Sequence, residues 1–388
     1  MQHKTKKIIK ICSITLSCLI LVPLLAAVSY VSYVAFSYKR IGDINLDVNK
    51  NSSTEKISVN KELKFTSYNI GFGAYSDDYT FFLDIGYDEN GNVTKGVYGK
   101  ARSKDEVIKN TSGAISASLK LNSDFYAFQE VDEDSGRAYH INQKEEILKA
   151  YPHFDSTYAI NFDSAYLFYP FNDPHGKSKA GLTTLSKYKI SEAERKEYTI
   201  STSFSKFFDL DRCFSVNRIK TEKNNDLVLI NSHMSAYDEG GLIRDQQLSE
   251  LNDYMKKEYD KGNYVICGGD FNHDLLTNNP IYPEYDKNNF AFKDIIKQRK
   301  PDWLSYMFND LKKSKFDEHF TVYAANNEPS CRDCDVVYEV NNTFVSTVDG
   351  FIVSDNVNVS SVLTTKTISP KGFSFSDHQP TTLTFSLI

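Results

Sequence analysis

Eight side chains able to bind a metal ion or move a proton lie beside short apolar segments of the sequence. They are Asn69, Glu130, His233, Asp270, Asn272, Asp349, Asp377 and His378. The apolar segments have the composition of strands, and strands that end in such residues converge on one rim of a sheet, where α/β proteins build their sites. Carboxylate and amide oxygens suit Mg²⁺ or Mn²⁺ better than zinc. The pattern therefore indicates a magnesium or manganese site.

The elements that position these side chains follow from local patterns. The segments LKFTSYN, DFYAFQE, DLVLINS, NYVICGGD, VDGFIVS and TTLTFSL are rich in β-branched or aromatic residues and predict strands. Between them, SKDEVIKNTSGAISASLKL and GLIRDQQLSELNDYMKKEYDKG predict helices, the second ending near Gly262. Because strands and helices interleave throughout, we expect one α/β domain. Residues 71–105 and about 274–330 are polar, aromatic-containing insertions of the kind that sets substrate specificity.

Seven segments occur in a recognisable order from residue 63 to the carboxyl terminus: SYNIG, FQEVD, GLTTLSKY, NSHMSA, GGDFN, TVDGFIVS and SDHQP. In this order the sequence resembles the endonuclease/exonuclease/phosphatase superfamily. That group includes pancreatic-type deoxyribonucleases, neutral sphingomyelinases, inositol polyphosphate 5-phosphatases and apurinic endonucleases. The resemblance implies an α/β (α+β) fold, a four-layer α/β/β/α sandwich of two mixed sheets.

The resemblance also implies a role for each matching residue. Metal ligands would be Glu130, Asn69 and Asp377, holding Mg²⁺ or Mn²⁺. Catalytic residues would be His378, Asp349, Asp270, Asn272 and His233, with Asp349 fixing the tautomer of His378 and Asp270 orienting or deprotonating water. Phosphate would be held by Arg212 and Asn272.

Taken singly, these residues have ordinary structural explanations. Asp270 after two glycines could cap a turn, Glu130 could face solvent, and His233 could be a core histidine with its hydrogen bonds satisfied. Their joint occurrence in family order favours catalysis over coincidence.

Residues 11–38 form an uncharged apolar run, long enough to cross a hydrocarbon core of about 30 Å. Four lysines precede the run and two basic residues follow it. The run predicts a single membrane-spanning helix with its amino terminus inside. A cleaved signal peptide is the alternative, although its apolar part is normally shorter. The expected organisation is a cytoplasmic basic flank (1–10), a transmembrane anchor (11–38), a stalk (39–61) and an extracytoplasmic catalytic domain (62–388).

The charge distribution bears on the substrate. Residues 1–40 hold six of the 45 basic residues and no acidic one, so 39 basic and 51 acidic side chains give the remainder a charge of −12. An acidic body lacks the broad cationic surface that supports non-specific nucleic-acid binding. We therefore expect a phosphodiesterase or phosphatase acting on a lipid headgroup or small phosphoester. A nuclease facing the cell exterior is the alternative, and an inactive relative that binds phosphorylated ligands is a second.

Four cysteines follow the apolar run: Cys213, Cys267, Cys331 and Cys334. They allow three pairings, among which the sequence does not choose. For the closely spaced Cys331 and Cys334 we expect a local disulfide or two free thiols rather than half of a zinc site. The sequence does not define the oligomeric state.

Overall fold

The computed structural model describes residues 2–207, 209–236, 242–283, 296–314, 316–368 and 370–388. The α-helices are α1 Gln2–Ser37, α2 Lys104–Leu121, α3 Gln143–Ala150, α4 Leu242–Tyr259 and α5 Met307–Ser314. The strands are β1 Ile44–Asn45, β2 Leu63–Asn69, β3 Ile85–Asp88, β4 Val93–Lys95, β5 Phe125–Ser135, β6 Asp155–Asp163, β7 Ser178–Ser186, β8 Ile190–Glu197, β9 Cys213–Lys220, β10 Asp226–His233, β11 Tyr264–Asp270, β12 His273–Asp274, β13 Gln298–Arg299, β14 Ser305–Tyr306, β15 Phe320–Ala324, β16 Cys331–Arg332, β17 Val345–Ser346, β18 Asp349–Ser354, β19 Val357–Thr364 and β20 Thr381–Leu387.

Two large sheets face each other. One has the order β19-β20-β2-β5-β7-β6, and the other has the order β1-β8-β9-β10-β11-β18-β15. Both are mixed, because β2 pairs in parallel with β5 and β10 pairs in parallel with β11, while other neighbours are antiparallel. Phe65 and Phe125 from the first sheet share one buried cluster with Leu229, Ile266 and Phe351 from the second. This apolar interior holds the sheets together.

Helices cover the outer faces of both sheets. On the six-stranded sheet, Ile147 of α3 packs in a cluster with Phe128, and α2 contributes to the same cluster. On the seven-stranded sheet, Leu251 of α4 and Met307 of α5 pack in a cluster with Val265. The domain is therefore a four-layer α/β/β/α sandwich, and the predicted fold is confirmed.

The two predicted helices form where the sequence places them. Helix α2 begins after Ser103, whose hydroxyl accepts a hydrogen bond from the Glu106 backbone N–H, and it ends at Asn122 in the left-handed conformation. Helix α4 ends at Tyr259, three residues before Gly262, whose φ of +83° favours glycine. Local capping signals thus define both helices.

Helix α1 is, among the residues that the structure describes, the one helix long and apolar enough to cross a membrane, over Lys4–Ser37. The sequence predicts a stalk for the segment that follows, residues 39–61. In the structure it lies along the domain: β1 pairs with β8, and further bridges join Asn49 to Ser156 and Ile57 to Thr221. The end of α1 is therefore held against the domain.

The two predicted insertions meet in space. Strand β13 pairs with β3, and β3 pairs with β4, so the insertions build one small three-stranded sheet. Residues 284–295 and 315 of the second insertion lie outside the described residues.

Candidate active site

The candidate site lies where the central strands of both sheets end. Asn69 ends β2, His233 ends β10 and Asp270 ends β11, while Asp349 begins β18 directly opposite Asp270 in the antiparallel register. Glu130 lies at a bulge in β5 and has a φ of +52°. A bulge re-aims a side chain that regular pleating would direct elsewhere. The fold thus brings residues distant in sequence to a common rim.

His378 and Asp349 form a buried dyad. The Nδ1 atom of His378 lies 2.8 Å from Oδ2 of Asp349, and the Asp349 backbone N–H donates to the hydroxyl of Ser330 at 3.0 Å. Burial alone would lower the pKa of His378, but the surrounding negative charges, that of Asp349 above all, raise it well above its ordinary value. The imidazolium form is therefore stabilised, and His378 lines the cavity with its Nε2 atom 3.6 Å from Oδ2 of Asp270.

Asp270 contacts several of the other polar residues in the site. Its Oδ2 accepts a hydrogen bond from the Asn69 amide at 3.1 Å and lies 3.6 Å from Nε2 of His378. Its Oδ1 accepts from the Asn272 backbone N–H at 2.9 Å. Burial, and then the charge of Asp349, raise the pKa of Asp270 despite the opposing effect of His378. A buried carboxylate with a raised pKa is suited to accept a proton from water.

The Asn69 amide lies between two carboxylates. Its nitrogen donates to Glu130 at 3.3 Å as well as to Asp270. Burial raises the pKa of Glu130, Arg137 opposes that rise, and the charge of Asp377 adds to it. Glu130 and Asp377 thus bring two interacting negative charges to one part of the site, and carboxylates placed in this way suit a divalent cation. Glu130 and Asp377 are therefore compatible with Mg²⁺ or Mn²⁺. Asn69 would join them as a ligand through its Oδ1 atom, which here accepts a hydrogen bond from the Gly71 backbone N–H at 3.0 Å.

A second group of atoms that could bind a metal ion lies in the same site. Among the described residues, atoms of Asp270, Asp349 and His378 all lie within 4.8 Å of one another. The hydrogen bond between Asp349 and His378 already uses one ligand-type atom of each residue. We therefore assign Asp270, Asp349 and His378 to proton transfer rather than to metal binding.

His233 faces the same carboxylates. Its Nε2 lies 3.5 Å from Oδ2 of Asp270 and 4.0 Å from Oε1 of Glu130. Its buried Nδ1 has no hydrogen-bond partner among the described residues. Burial, and then the positive charges of Arg212 and His378, lower its pKa well below the ordinary value. His233 is thus a neutral imidazole able to donate or accept one hydrogen bond.

Arg212 and Asn272 meet at one backbone carbonyl. The Arg212 Nη1 atom and the Asn272 amide each donate to the carbonyl of Met234 at 2.9 Å. The buried Nε of Arg212 has no hydrogen-bond partner among the described residues. An oriented guanidinium with a spare donor is suited to an anion such as phosphate.

These groups line one cavity of about 1120 Å³. Seven of the nine predicted site residues contribute to its wall, and Asn69 and Asp349 lie directly behind, bonded to wall residues. The rest of the wall is largely apolar and aromatic, including Phe72, Phe82 and Trp303.

The wall also includes Arg137, Cys331 and Cys334, to which the sequence analysis gave no role in the site. Arg137 forms a two-point ion pair with Asp132 and lies 4.0 Å above the ring of Phe72. The thiol of Cys331 lies 3.6 Å from Nε2 of His378, and that of Cys334 lies 3.7 Å from Asp377. Both cysteines are free thiols. Their closeness to the site arises from long-range folding and leaves no local signal in the sequence.

No curated protein matches the sequence. Among solved structures, the 2',3'-cyclic phosphatase ANGEL2 in complex with adenosine-2',3'-vanadate superposes with a TM-score of 0.51 at 14% identity, covering 89% of this chain and 99% of its own. Two proteins described as endonuclease/exonuclease/phosphatase, from Bacteroides vulgatus and Beutenbergia cavernae DSM 12333, superpose with TM-scores of 0.49 and 0.47, each at 13% identity and covering 84% of this chain. They cover 100% and 72% of their own chains, respectively.

The profile of the endonuclease/exonuclease/phosphatase family matches residues 66–378, which include every site residue described above. The chain therefore belongs to the endonuclease/exonuclease/phosphatase family.

Proposed function

We propose that the protein is a membrane-anchored, Mg²⁺- or Mn²⁺-dependent phosphoester hydrolase, a phosphodiesterase or phosphatase, whose catalytic domain lies outside the cytoplasmic membrane. The observation that carries the proposal is the Asn69 amide, which bridges Glu130 and Asp270 beside the buried His378–Asp349 dyad. Acid, base and cation-binding groups thus converge at one end of a single cavity.

Glu130, Asn69 and Asp377 would hold the metal. A divalent cation bound there polarises phosphate oxygens and offsets the negative charge that accumulates during hydrolysis. The electrostatic interaction between Glu130 and Asp377 in the cavity wall supports the assignment, although Arg137 partly offsets their negative charge.

The protein's own residues supply the remaining chemistry. Asp270 orients the attacking water and accepts its proton at a carboxylate oxygen. Arg212 and the Asn272 amide hold phosphate oxygens, and neutral His233 adds a hydrogen bond to the phosphate or the leaving group. His378 faces the substrate with Nε2 as an imidazolium, and Asp349 keeps its Nδ1 protonated.

The proposed location and substrate rest on the anchor and the charge. The lysines before the uncharged run favour an inside amino terminus. Because residues 39–61 lie along the domain, a membrane anchor at α1 would keep the domain close to the bilayer, which would raise the effective concentration of lipid substrates. The charge of −12 beyond residue 40 disfavours nucleic acid. We therefore infer a lipid headgroup or a small phosphoester as substrate.

The test compares substrates at one Mg²⁺ concentration and physiological salt. Purified full-length protein in nanodiscs is assayed for kcat/KM on plasmid DNA, on headgroup phosphodiesters in liposomes and on soluble small phosphoesters. We expect a higher kcat/KM for headgroup phosphodiesters or small phosphoesters than for plasmid DNA. Fast plasmid nicking without headgroup or small-phosphoester hydrolysis would identify a nuclease. Phosphoester binding without turnover of any substrate would identify an inactive relative.

A further inference from the structure

The connection between β6 and β7 contains an aromatic segment, Tyr-Leu-Phe-Tyr-Pro-Phe, at residues 166–171, here called the aromatic loop. Helix α1 packs directly on it. The Tyr30 hydroxyl donates to the carbonyl of Tyr166 at 3.0 Å, and the Tyr166 backbone N–H donates to the Tyr33 hydroxyl at 3.2 Å. The rings of Tyr30 and Phe168 meet edge-to-face at a centroid distance of 5.1 Å. The helix therefore fixes the position of the loop.

The aromatic loop is exposed although it is apolar. Tyr166 is 39% exposed, Phe168 and Tyr169 are each 49% exposed, and Phe171 is 84% exposed. No charged residue interrupts the six positions. A continuous group of exposed aromatic side chains on a soluble domain marks a surface that another apolar or interfacial phase covers.

The place on α1 that the aromatic loop contacts indicates that the membrane interface covers the loop. An apolar helix of roughly 20 residues fills the hydrocarbon core, so a span that begins near residue 11 reaches the outer interface near Tyr30. Tyr30, Tyr33 and Tyr38 then lie at the headgroup level, where tyrosine and tryptophan are enriched. Because the aromatic loop contacts Tyr30 and Tyr33, it lies at the same level.

A second contact keeps the domain in this orientation. Just beyond the helix, Arg40 forms ion pairs with Asp211 and with Glu197, the latter at 3.1 Å. The Tyr38 hydroxyl donates to Asp211 at 3.3 Å. The helix end is thus joined to the domain at Tyr30 and Tyr33 and again at Tyr38 and Arg40.

The aromatic loop is also a wall of the active-site cavity. Leu167 and Tyr169 line the cavity, and the ring of Tyr169 lies 5.5 Å from that of Phe82, another lining residue. Phe162 and Leu210 extend the same apolar sector of the wall. The aromatic loop thus contacts α1 and also belongs to the apolar part of the cavity wall.

We propose that the aromatic loop inserts into the outer membrane interface and that the apolar sector receives the non-polar part of a lipid phosphoester directly from the bilayer. This inference rests on the proposed phosphoester hydrolysis and on the anchor, and it assigns the substrate to the membrane lipids. The phosphate then reaches Arg212 and Asn272 while the acyl-bearing part stays against Leu167, Tyr169 and Phe82.

Tryptophan reporters test the insertion without relying on activity. In a Trp303→Phe background, single tryptophans replace Leu21 in the span, Phe171 in the aromatic loop, or Leu363. Leu363 is 53% exposed and lies in β19, at the opposite edge of the same sheet from β6. Full-length protein is reconstituted into phosphatidylcholine–phosphatidylglycerol vesicles that contain brominated acyl chains.

We expect the brominated lipids to quench the tryptophan fluorescence of Leu21→Trp and Phe171→Trp and to leave that of Leu363→Trp unquenched. Quenching at Leu21→Trp alone would show that α1 spans while the loop stays in water, which overturns the insertion. No quenching at Leu21→Trp would remove the anchor and the insertion together.

Activity tests the lipid route separately. Phe171 contacts the domain through the ring of Tyr169 at 5.8 Å, so Phe171→Ser spares the core. Loss of one buried phenylalanine in the interface predicts about tenfold lower kcat/KM on vesicle lipids, with bis(p-nitrophenyl) phosphate hydrolysis unchanged. Leu363→Ser should leave both rates unchanged, and Glu130→Gln should abolish both.

An equal loss on both substrates, or no loss on vesicles, would overturn the lipid route. If no phosphoester is hydrolysed by any variant, the proposed function fails, while the quenching result still decides whether the loop inserts.

Discussion

Replacing Asp349 with asparagine removes one charge from the dyad and changes little else. Asp349 is fully buried, and its Oδ2 lies 2.8 Å from Nδ1 of His378. Asparagine has nearly the same shape, and its amide oxygen can still accept from the imidazole. What disappears is the charge assistance, worth about 1–2 kcal/mol when a charged partner becomes neutral.

The loss should appear in turnover. If the imidazolium of His378 forms part of the transition state, about 1–2 kcal/mol corresponds to roughly 5- to 30-fold in kcat, with a smaller change in KM. The dependence of kcat on pH should also change, in a direction that follows from the pKa of His378. The charge of Asp349 raises the pKa of His378. Removing that charge lowers this pKa, so the imidazolium is lost at a lower pH, and the alkaline limb of kcat should move to lower pH.

A matched control separates this effect from a general loss of stability. His319 and Asp355 form the same pair at the same 2.8 Å distance, but on the exposed surface. Asp355→Asn should leave kcat and its pH profile unchanged. Combining Asp349→Asn with His378→Ala should cost little more than His378→Ala alone, because the two residues act as a unit. An unshifted alkaline limb, or additive losses, would refute the dyad.

Three further predictions concern the phosphate contact, the topology and the stability. Arg212→Met should raise KM for anionic phosphoesters about tenfold, the loss of one charge-assisted contact; an unchanged KM in steady-state kinetics would remove Arg212 from the substrate site. Protease added to intact spheroplasts should degrade residues 62–388, and full protection with cytoplasmic markers intact would place the domain inside. Burial opposes ionisation of Glu258, but its hydrogen bonds to Arg218 outweigh burial and lower its pKa to about 2. The ionised Glu258 therefore stabilises the fold above its unfolded pKa of about 4.3, and this stabilisation should be lost as the pH falls toward 2. The Tm of Glu258→Gln should consequently fall less steeply with acid than the Tm of the wild type. Identical profiles of Tm against pH would contradict this prediction.

The fold was predictable where local signals define an element. The cap at Ser103 and the glycine at position 262 place α2 and α4, and the β-branched runs place the central strands. The short strands were not predictable, because two or three residues carry no periodicity. The pairing of β3 with β13 joins segments about two hundred residues apart, and only tertiary packing specifies it.

The same distinction applies to the site: some residues carry a sequence signal, and others are brought to the site only by folding. The dyad and the carboxylates lie in segments whose order is informative, so their grouping could be expected before their geometry was known. Arg137 was missed because its contact with Phe72 forms only in the folded chain. The aromatic loop was missed because exposed aromatic residues between two strands have no distinctive period. Its significance comes from Tyr30, which lies 136 residues earlier and donates to Tyr166.

Metal-dependent phosphodiester hydrolysis by purified full-length protein is the measurement closest to the central claim. Glu133 offers a matched control for Glu130, since it lies in the same strand and pairs with Lys144 and Lys179 away from the cavity. Wild type and Glu133→Gln should hydrolyse bis(p-nitrophenyl) phosphate with Mg²⁺ or Mn²⁺, lose activity in EDTA and regain it when metal is restored. Glu130→Gln should stay inactive at metal concentrations that saturate the wild type, with an unchanged Tm. Full activity of the wild type in EDTA, or of Glu130→Gln at low metal, would contradict the account.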